Sequence, residues 1–294
     1  MTSTQDSRKR KSARVKIRKA KRSDKAPILE ISKKIWGGHD YLPGVWDDWV
    51  ADKNARFIVA SVNGRTVGCA HASLQSNYVA WLDGVRVHEE YRGLGIAGKL
   101  NRALVRWAKR KGARVARLST GSSNRASRQH LSKIGFPVMG TFQRLDTGRG
   151  LREKPAGITV PRSSAKNLWN WLKTRPNFAE NHAMYSDGWT WHPLTHQVLS
   201  NLVTQGRVLA TLKDGTPSSC CIFLDEEKIL TLGFMAGDRG EVAKLIRMLR
   251  FMKFQKKRQK LRALLPLRSR FIRTLENSGF KKNAKIIVYE KFLG

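Results

Sequence analysis

The stretch that most limits what this chain can fold into is Val85–Ala97, which reads Val-Arg-Val-His-Glu-Glu-Tyr-Arg-Gly-Leu-Gly-Ile-Ala. An apolar, strand-like run ends at Val87. The turn Arg92-Gly93-Leu94-Gly95-Ile96-Ala97 follows, and a helical pattern then continues to Lys111. The amides of a helix's first turn have no partner inside the helix, and the macrodipole places roughly half a positive charge there. Glycines let the backbone approach a pyrophosphate without a Cβ in the way. Strand, glycine turn and helix in this order predict a phosphate-binding site. No Lys-Ser or Lys-Thr pair closes the turn as in a nucleotide P-loop, and its glycine offsets are not those of a dinucleotide fingerprint.

The flanks give this turn a setting. Val15–Ala20 alternates as a strand, and Ser23-Asp24 offers an N-cap to a helix over Lys25–Ile35. Arg56–Val62, the Asn63-Gly64 turn and Thr66–Leu74 read as a hairpin, since Asn-Gly between apolar runs favours a type I′ turn. Tyr78–Val87 is the next strand. After the helix, Arg114–Ser119 reads as a strand, Asn124–Lys133 as a helix and Val138–Leu145 as a strand entered through Gly135-Phe136. Arg-Gly-x-Gly-x-Ala, followed by Asn124…Leu131-Ser132-Lys133-Ile134-Gly135-Phe136, resembles the GNAT N-acetyltransferase superfamily over roughly half the chain. Many members carry a Tyr where this chain has Leu131, with His130 beside it. Either the CoA thiolate leaves without a side-chain acid, or another donor such as His130 reaches it.

At 294 residues the chain is long enough for two domains, and 40% hydrophobic residues suffice for packed cores. No apolar run of membrane-spanning length occurs and the N-terminus lacks an apolar signal core, so neither a membrane span nor a secretory signal is expected. Cys69, Cys220 and Cys221 form neither a disulfide framework nor a metal-ligand spacing, which fits a reducing, cytoplasmic location without a bound metal. Fifty-seven Lys and Arg against 22 acids give a net charge of +35. A field of that size draws polyanions such as RNA, and equally the phosphates of CoA. Zinc-finger, RNP and helix-turn-helix signatures are missing.

Beyond Gly148–Gly157 the same grammar returns. A short strand is expected at 157–160, helices over Ser163–Leu172 and Pro193–Thr204, and a hairpin of Arg207–Leu212 and Ser218–Leu224 about Asp214-Gly215. The strand Lys228–Ala236, the long helix Glu241–Lys256, the strand Lys260–Leu265, the helix Arg270–Ser278 and a last strand Ala284–Phe292 then follow. Asn277-Ser278-Gly279-Phe280 echoes Lys133-Ile134-Gly135-Phe136. Where the copy needs its glycine turn it has Ala236-Gly237-Asp238-Arg239-Gly240-Glu241, whose carboxylates repel a pyrophosphate at the helix end. The expected organisation is a basic tail at 1–13, a catalytic GNAT domain at 14–147, a linker at 148–155 and a degenerate GNAT-like domain at 156–294. The fold class is α/β, with a mixed, mostly antiparallel sheet flanked by helices.

The resemblance implies acetyl-CoA as co-substrate. Val85 and Val87 would pair with its pantetheine arm, while Arg92, Gly93, Gly95, Ile96 and Ala97 would cradle the pyrophosphate and Asn124 would bond the pantetheine side. Asp83 lies two residues before Val85 on the same strand face and could accept the amine proton, with His71 as a second candidate. The segment Trp36–Trp49 is rich in aromatics and acids, and Asp40, Tyr41 and Trp46 there suit a cationic amine. Asp-Tyr-Leu-Pro…Trp…Trp, with Trp81–Val87, resembles the N-acetylhistidine-synthesising subgroup and its microbial relatives, which tend toward two GNAT folds. The expected activity is N-acetylation of a small amine or amino acid by direct attack on the thioester. The alternatives are an acetyltransferase of protein N-termini or lysines, and a non-catalytic GNAT-fold protein that binds nucleic acid or ribosomes.

Overall fold

The computed structural model describes residues 14–156, 158 and 165–294. The basic tail at 1–13 and most of the strand expected at 157–160 lie outside the described residues. The chain divides into two units. One comprises the residues up to Leu118 together with Gln129–Pro137 and Glu290–Gly294, and the other comprises Ser119–Arg128 and Val138–Tyr289.

In the first unit β1 (Val15–Lys19) leads to helices α1 (Lys25–Lys33) and α2 (Leu42–Ala51). The strands β2 (Ala55–Val62), β3 (Arg65–Leu74) and β4 (Val79–Val87) follow, then α3 (Ile96–Arg110), β5 (Val115–Gly121), of which Val115–Leu118 fall in this unit, and α4 (Arg125–Lys133), of which Gln129–Lys133 do. β1 to β4 pair antiparallel in chain order, and β5 joins β4 in parallel. Asn63 and Gly64 both take positive φ, 48° and 82°, as the type I′ turn of the β2–β3 hairpin requires. Ile28, Ile31, Leu42, Trp46, Phe57, Val59 and Cys69 form a core between α1, α2 and the sheet. Helix α3 buries Ile96, Leu100, Leu104, Trp107 and Ala108 at helical spacing and exposes Lys99, Arg102, Arg106, Lys109 and Arg110. Glu290–Gly294 completes this unit. The Glu290 carboxylate accepts from Arg117 at 2.7 Å, and Lys291 donates to the Ile134 carbonyl at 2.7 Å.

The second unit begins with β6 (Val138–Thr147), then α5 (Ala165–Leu172) and α6 (Pro176–Glu180), and the short β7 (Met184–Ser186) and β8 (Trp191–Pro193). It continues through α7 (His196–Thr204), β9 (Val208–Lys213), β10 (Thr216–Asp225), β11 (Ile229–Gly237), α8 (Arg239–Gln255), β12 (Lys260–Pro266), α9 (Ile272–Asn277) and β13 (Lys281–Phe292). Its strand order is β13-β6-β12-β11-β10-β9, antiparallel except for β11 beside β12. β6, read as the last strand of the first half, therefore lies between β12 and β13. Asp214-Gly215 repeats the left-handed hairpin geometry, with φ of 51° and 75°. Pro193 ends a strand instead of opening a helix, and α7 starts at His196 behind a Thr195 cap that accepts from the Val198 amide at 3.3 Å. The stretch 148–155 is irregular but held against α8. Lys253 donates to the Gly148 carbonyl at 2.6 Å, and a Cβ on Gly150 would stand 2.9 Å from Phe254. Among the described residues no helix is long and apolar enough to cross a membrane.

Candidate active site

Two irregularities of β4 make the site. Towards β3 the register passes from Cys69↔Arg86 to His71↔Asp83, so three steps on β4 oppose two on β3. The extra residue forms a bulge at Gly84, whose φ is 64°. Towards β5 the pairing is confined to Val79–Trp81. From Asp83 to Val87, β4 therefore carries backbone groups on its β5 side that this ladder does not use. A Cβ on Gly84 would stand 2.6 Å from the Trp49 ring, so the packing and the positive φ both require glycine there.

Trp49, on α2, stacks on His71 with ring centroids 4.0 Å apart and planes 6° from parallel, and Tyr41 meets it edge-on at 6.1 Å. His71 Nδ1 lies 2.8 Å from Asp83 Oδ1. An ionised carboxylate only accepts, so Nδ1 carries the hydrogen. His71 Nε2 is buried without a hydrogen-bond partner. The pair reaches outward through Asp83, whose side chain is 28% exposed against 5% for His71. Beneath the bulge the Cys69 thiol, pushed up to about 12 by burial, donates to the Gly84 carbonyl at 3.5 Å.

The structure gives Asp40 and Trp46 internal roles in place of the substrate contacts expected of them. Asp40 takes a bidentate bond from Arg86, 2.9 Å from Nε and 2.7 Å from Nη2, and a third from the Ser32 hydroxyl at 2.7 Å. Its side chain is 1% exposed. Burial alone would raise its pKa, but the guanidinium and the hydroxyl outweigh that and hold the carboxyl below its ordinary range. No acceptor capacity is left facing outward. Trp46 is wholly buried against Phe57, at 4.8 Å. Tyr41 is exposed, with Arg86 lying 5.2 Å from its ring centroid. Of the aromatic segment, Tyr41 and Trp49 thus border the site. The sequence pattern singled out Trp46 and not Trp49; three residues apart on one helix, the two are told apart by the packing of Trp49 against Gly84.

The turn after β4 is open. Gly93 and Gly95 take φ of 79° and 70°, and a Cβ on either would meet nothing within 4 Å. Gly95 is the left-handed N-cap of α3, so the amides of Ile96, Ala97 and Gly98 have no partner within the helix. Nearby Glu89 is paired with Lys34. Arg92 is exposed, with a long 3.4 Å bond from Nε to the Val87 carbonyl. Glycine turn, free amides and a half-unladdered strand fit a ligand with a phosphate head and an extended arm.

His130 lies against α3, its Nε2 3.1 Å from Asn101 Nδ2 and its ring 3.3 Å from a Cβ placed on Gly98. Burial first, then Arg102 and Lys133, lower its pKa, which favours the neutral ring. Asn124 belongs to the other unit and caps α4, accepting from the Ser127 amide at 3.1 Å.

β11 repeats both irregularities of β4. Its register slips between Ile222↔Phe234 and Phe223↔Leu232, which leaves Gly233 as the extra residue, and its pairing with β12 ends at Leu232. As Gly84 packs against Trp49, Gly233 packs against β7, where the Ser186 carbonyl would lie 1.8 Å from a Cβ. The two strands part at their ends. At the end of the strand Gly237 donates to Asn177 at 3.5 Å and accepts from Arg270 at 2.7 Å. Asp238 is the N-cap of α8 and Glu241 stands in its first turn, paired with Lys244 at 2.7 Å.

Residues 26–136 match the profile of the acetyltransferase (GNAT) family. The chain is 30% identical over 107 residues to a histidine N-acetyltransferase of Xenopus tropicalis, covering 36% of this chain and 33% of that protein. It is 31% identical over 117 residues to an aminoglycoside N(6')-acetyltransferase type 1 of Salmonella typhimurium, covering 36% of this chain and 80% of that protein. The chain thus spans about a third of the length of the histidine N-acetyltransferase it matches. A GCN5-related N-acetyltransferase from Sphaerobacter thermophilus superposes with a TM-score of 0.68 at 14% identity, over 95% of this chain and 96% of that one. A tandem GNAT protein from the clavulanic acid biosynthesis pathway does so with 0.59 at 14% identity, over 96% and 99%. At these identities the structural likeness is one of fold.

Proposed function

The chain belongs to the GNAT acetyltransferase family, and from that premise we propose that its first unit transfers an acetyl group from acetyl-CoA to a small amine or amino acid. The free amides of the glycine turn, next to an unladdered strand and the Asp83–His71 pair, support this more than any other feature. Two relatives named for acetylating histidine and aminoglycosides favour a small amine as acceptor.

The amides at Gly93, Gly95, Ile96 and Ala97 would hold the pyrophosphate, with Arg92 adding charge at the rim. The backbone of Val85 and Val87 would pair with the pantetheine arm. When bound, acetyl-CoA supplies a thioester activated toward amine attack. Asp83 is the acceptor of the amine proton, because it is the exposed member of its pair. His71 is a positioning residue. Its Nδ1 hydrogen fixes one carboxylate oxygen, and Trp49 fixes its ring. The faces of Tyr41 and Trp49 offer a cationic amine a place to rest before it loses its proton. The three cysteines are free and buried, in keeping with a cytoplasmic enzyme.

The test is calorimetric titration of the protein with acetyl-CoA, followed by thiol release assays with free histidine and a panel of small amines. One-to-one binding and saturable release with a free amine are expected. Release that occurs only with peptide amines would move the acceptor to proteins, and no acetyl-CoA binding would overturn the assignment.

A further inference from the structure

A cavity of about 630 Å³ opens in the second unit beside α9, within the size range of small-molecule sites. Arg268, Arg270, Arg273, Lys282 and Lys285 line it, against one acid, Glu276. Glu276 is already paired with Lys282 at 2.9 Å, and Arg270 donates to the Gly237 carbonyl. Among the described residues Arg268, Arg273 and Lys285 have no acceptor, although they converge where like charges repel one another. The cavity also holds buried polar groups with capacity to spare. Gln143, 3% exposed, gives both amide hydrogens to the carbonyls of Arg144 and Ala284, at 2.9 and 3.0 Å, which leaves Oε1 as an acceptor. The Ser269 hydroxyl accepts from the Phe271 amide at 3.3 Å and keeps its own hydrogen to donate.

We propose that this cavity binds a phosphorylated sugar, free or carried in a nucleotide. The guanidinium forks of Arg268 and Arg273 suit a phosphate's paired oxygens, Lys285 adds charge, and Ser269 donates a further hydrogen. Gln143 Oε1 is the complementary acceptor for a sugar hydroxyl. The glycine turn of the first unit is not part of this site.

Calorimetry on the full chain at moderate salt, with ADP, ribose 5-phosphate and a short RNA strand as separate probes, tests the assignment. ADP or ribose 5-phosphate should bind one-to-one to the wild type and equally to a Gly95→Glu variant. Binding should weaken at least tenfold in Arg268→Ala/Arg273→Ala, but not in Arg106→Ala/Lys109→Ala, which removes the same charge from α3. Equal binding of the two small probes assigns a free sugar phosphate, and binding of ADP alone a nucleotide. The inference is overturned by loss of binding in Gly95→Glu, by equal weakening in the α3 variant, or by binding of RNA with neither small probe. Both arginines are exposed, so melting temperatures should match the wild type; Lys285→Ala serves in their place if they do not.

Discussion

Both β4 and β11 carry a glycine bulge midway, lose their parallel neighbour just before it, and run into a long helix. The bulge glycine is packed in both, Gly84 against Trp49 and Gly233 against the Ser186 carbonyl, but β4 leads to a turn with Gly93 and Gly95 at positive φ, whereas β11 leads to Asp238 and Glu241 at the start of the following helix. The bulge and the early end of parallel pairing thus belong to the architecture and recur in both units, while the glycine turn follows β4 and is not repeated after β11. At the second unit's helix start Asp238 and Glu241 place carboxylates that oppose an anion.

The largest expected effect tests the turn itself. Gly95→Glu introduces a carboxylate and a side chain at positive φ, and acetyl-CoA affinity should fall by more than about 100-fold, which matches the few kcal/mol that charge repulsion and strain supply. Gly240→Glu, at the corresponding helix start of the second unit, should leave that affinity unchanged in the same titration. Loss in both variants would erase the distinction between the copies.

Next comes the acceptor. Asp83→Asn should lower kcat by about 100-fold or more while acetyl-CoA affinity holds, as removal of a general base does. His71→Gln should cost less, since it releases the carboxylate without removing it. A larger loss in His71→Gln than in Asp83→Asn would exchange their roles.

Asp40→Asn leaves Arg86 buried without its charge partner and should cost about 3–5 kcal/mol in denaturant unfolding, as removing half a buried pair does. The lowered pKa of Asp40 sets the sign of the pH dependence. Its contribution is complete above the ordinary carboxylate value and is lost as pH falls through the lowered one. The acid limb of the wild-type melting curve should therefore be steeper than that of the variant.

The smallest expected effect is none. Asp238→Gly/Glu241→Ala removes the carboxylates from the second turn but does not rebuild the Arg92–Ala97 turn there, so titration should still find one acetyl-CoA site. Two sites would mean that charge alone had closed the copy.

Much of this could be read from the sequence because it is local. Asn63-Gly64 and Asp214-Gly215 dictate their hairpins, and Arg92–Ala97 dictates an open turn whatever surrounds it. Asp83 and His71 were legible as candidates, though their pairing depended on strand register. What escaped was long-range. Asp40 read as a substrate carboxylate because its partner, Arg86, lies far along the chain on another strand. Trp46 and Trp49 look alike on one helix, and only tertiary packing separates the core ring from the one over Gly84. β7 and β8 are three residues each, too short for alternation to declare them. The placement of β6 could not be foreseen either, since a strand's own residues do not say which edge it joins.

That placement bears on how the chain is made. Residues Glu290–Gly294 belong to the first unit, and β6, translated before any other strand of the second unit, pairs with strands that come long after it. A ribosome working from the N-terminus cannot finish the first unit until it has read through the second. A fragment cut at 148–155 would leave both edges of β6 bare and the first unit short of its last residues. In chain order the second unit therefore stands between the first and its own last residues, whatever either of them binds.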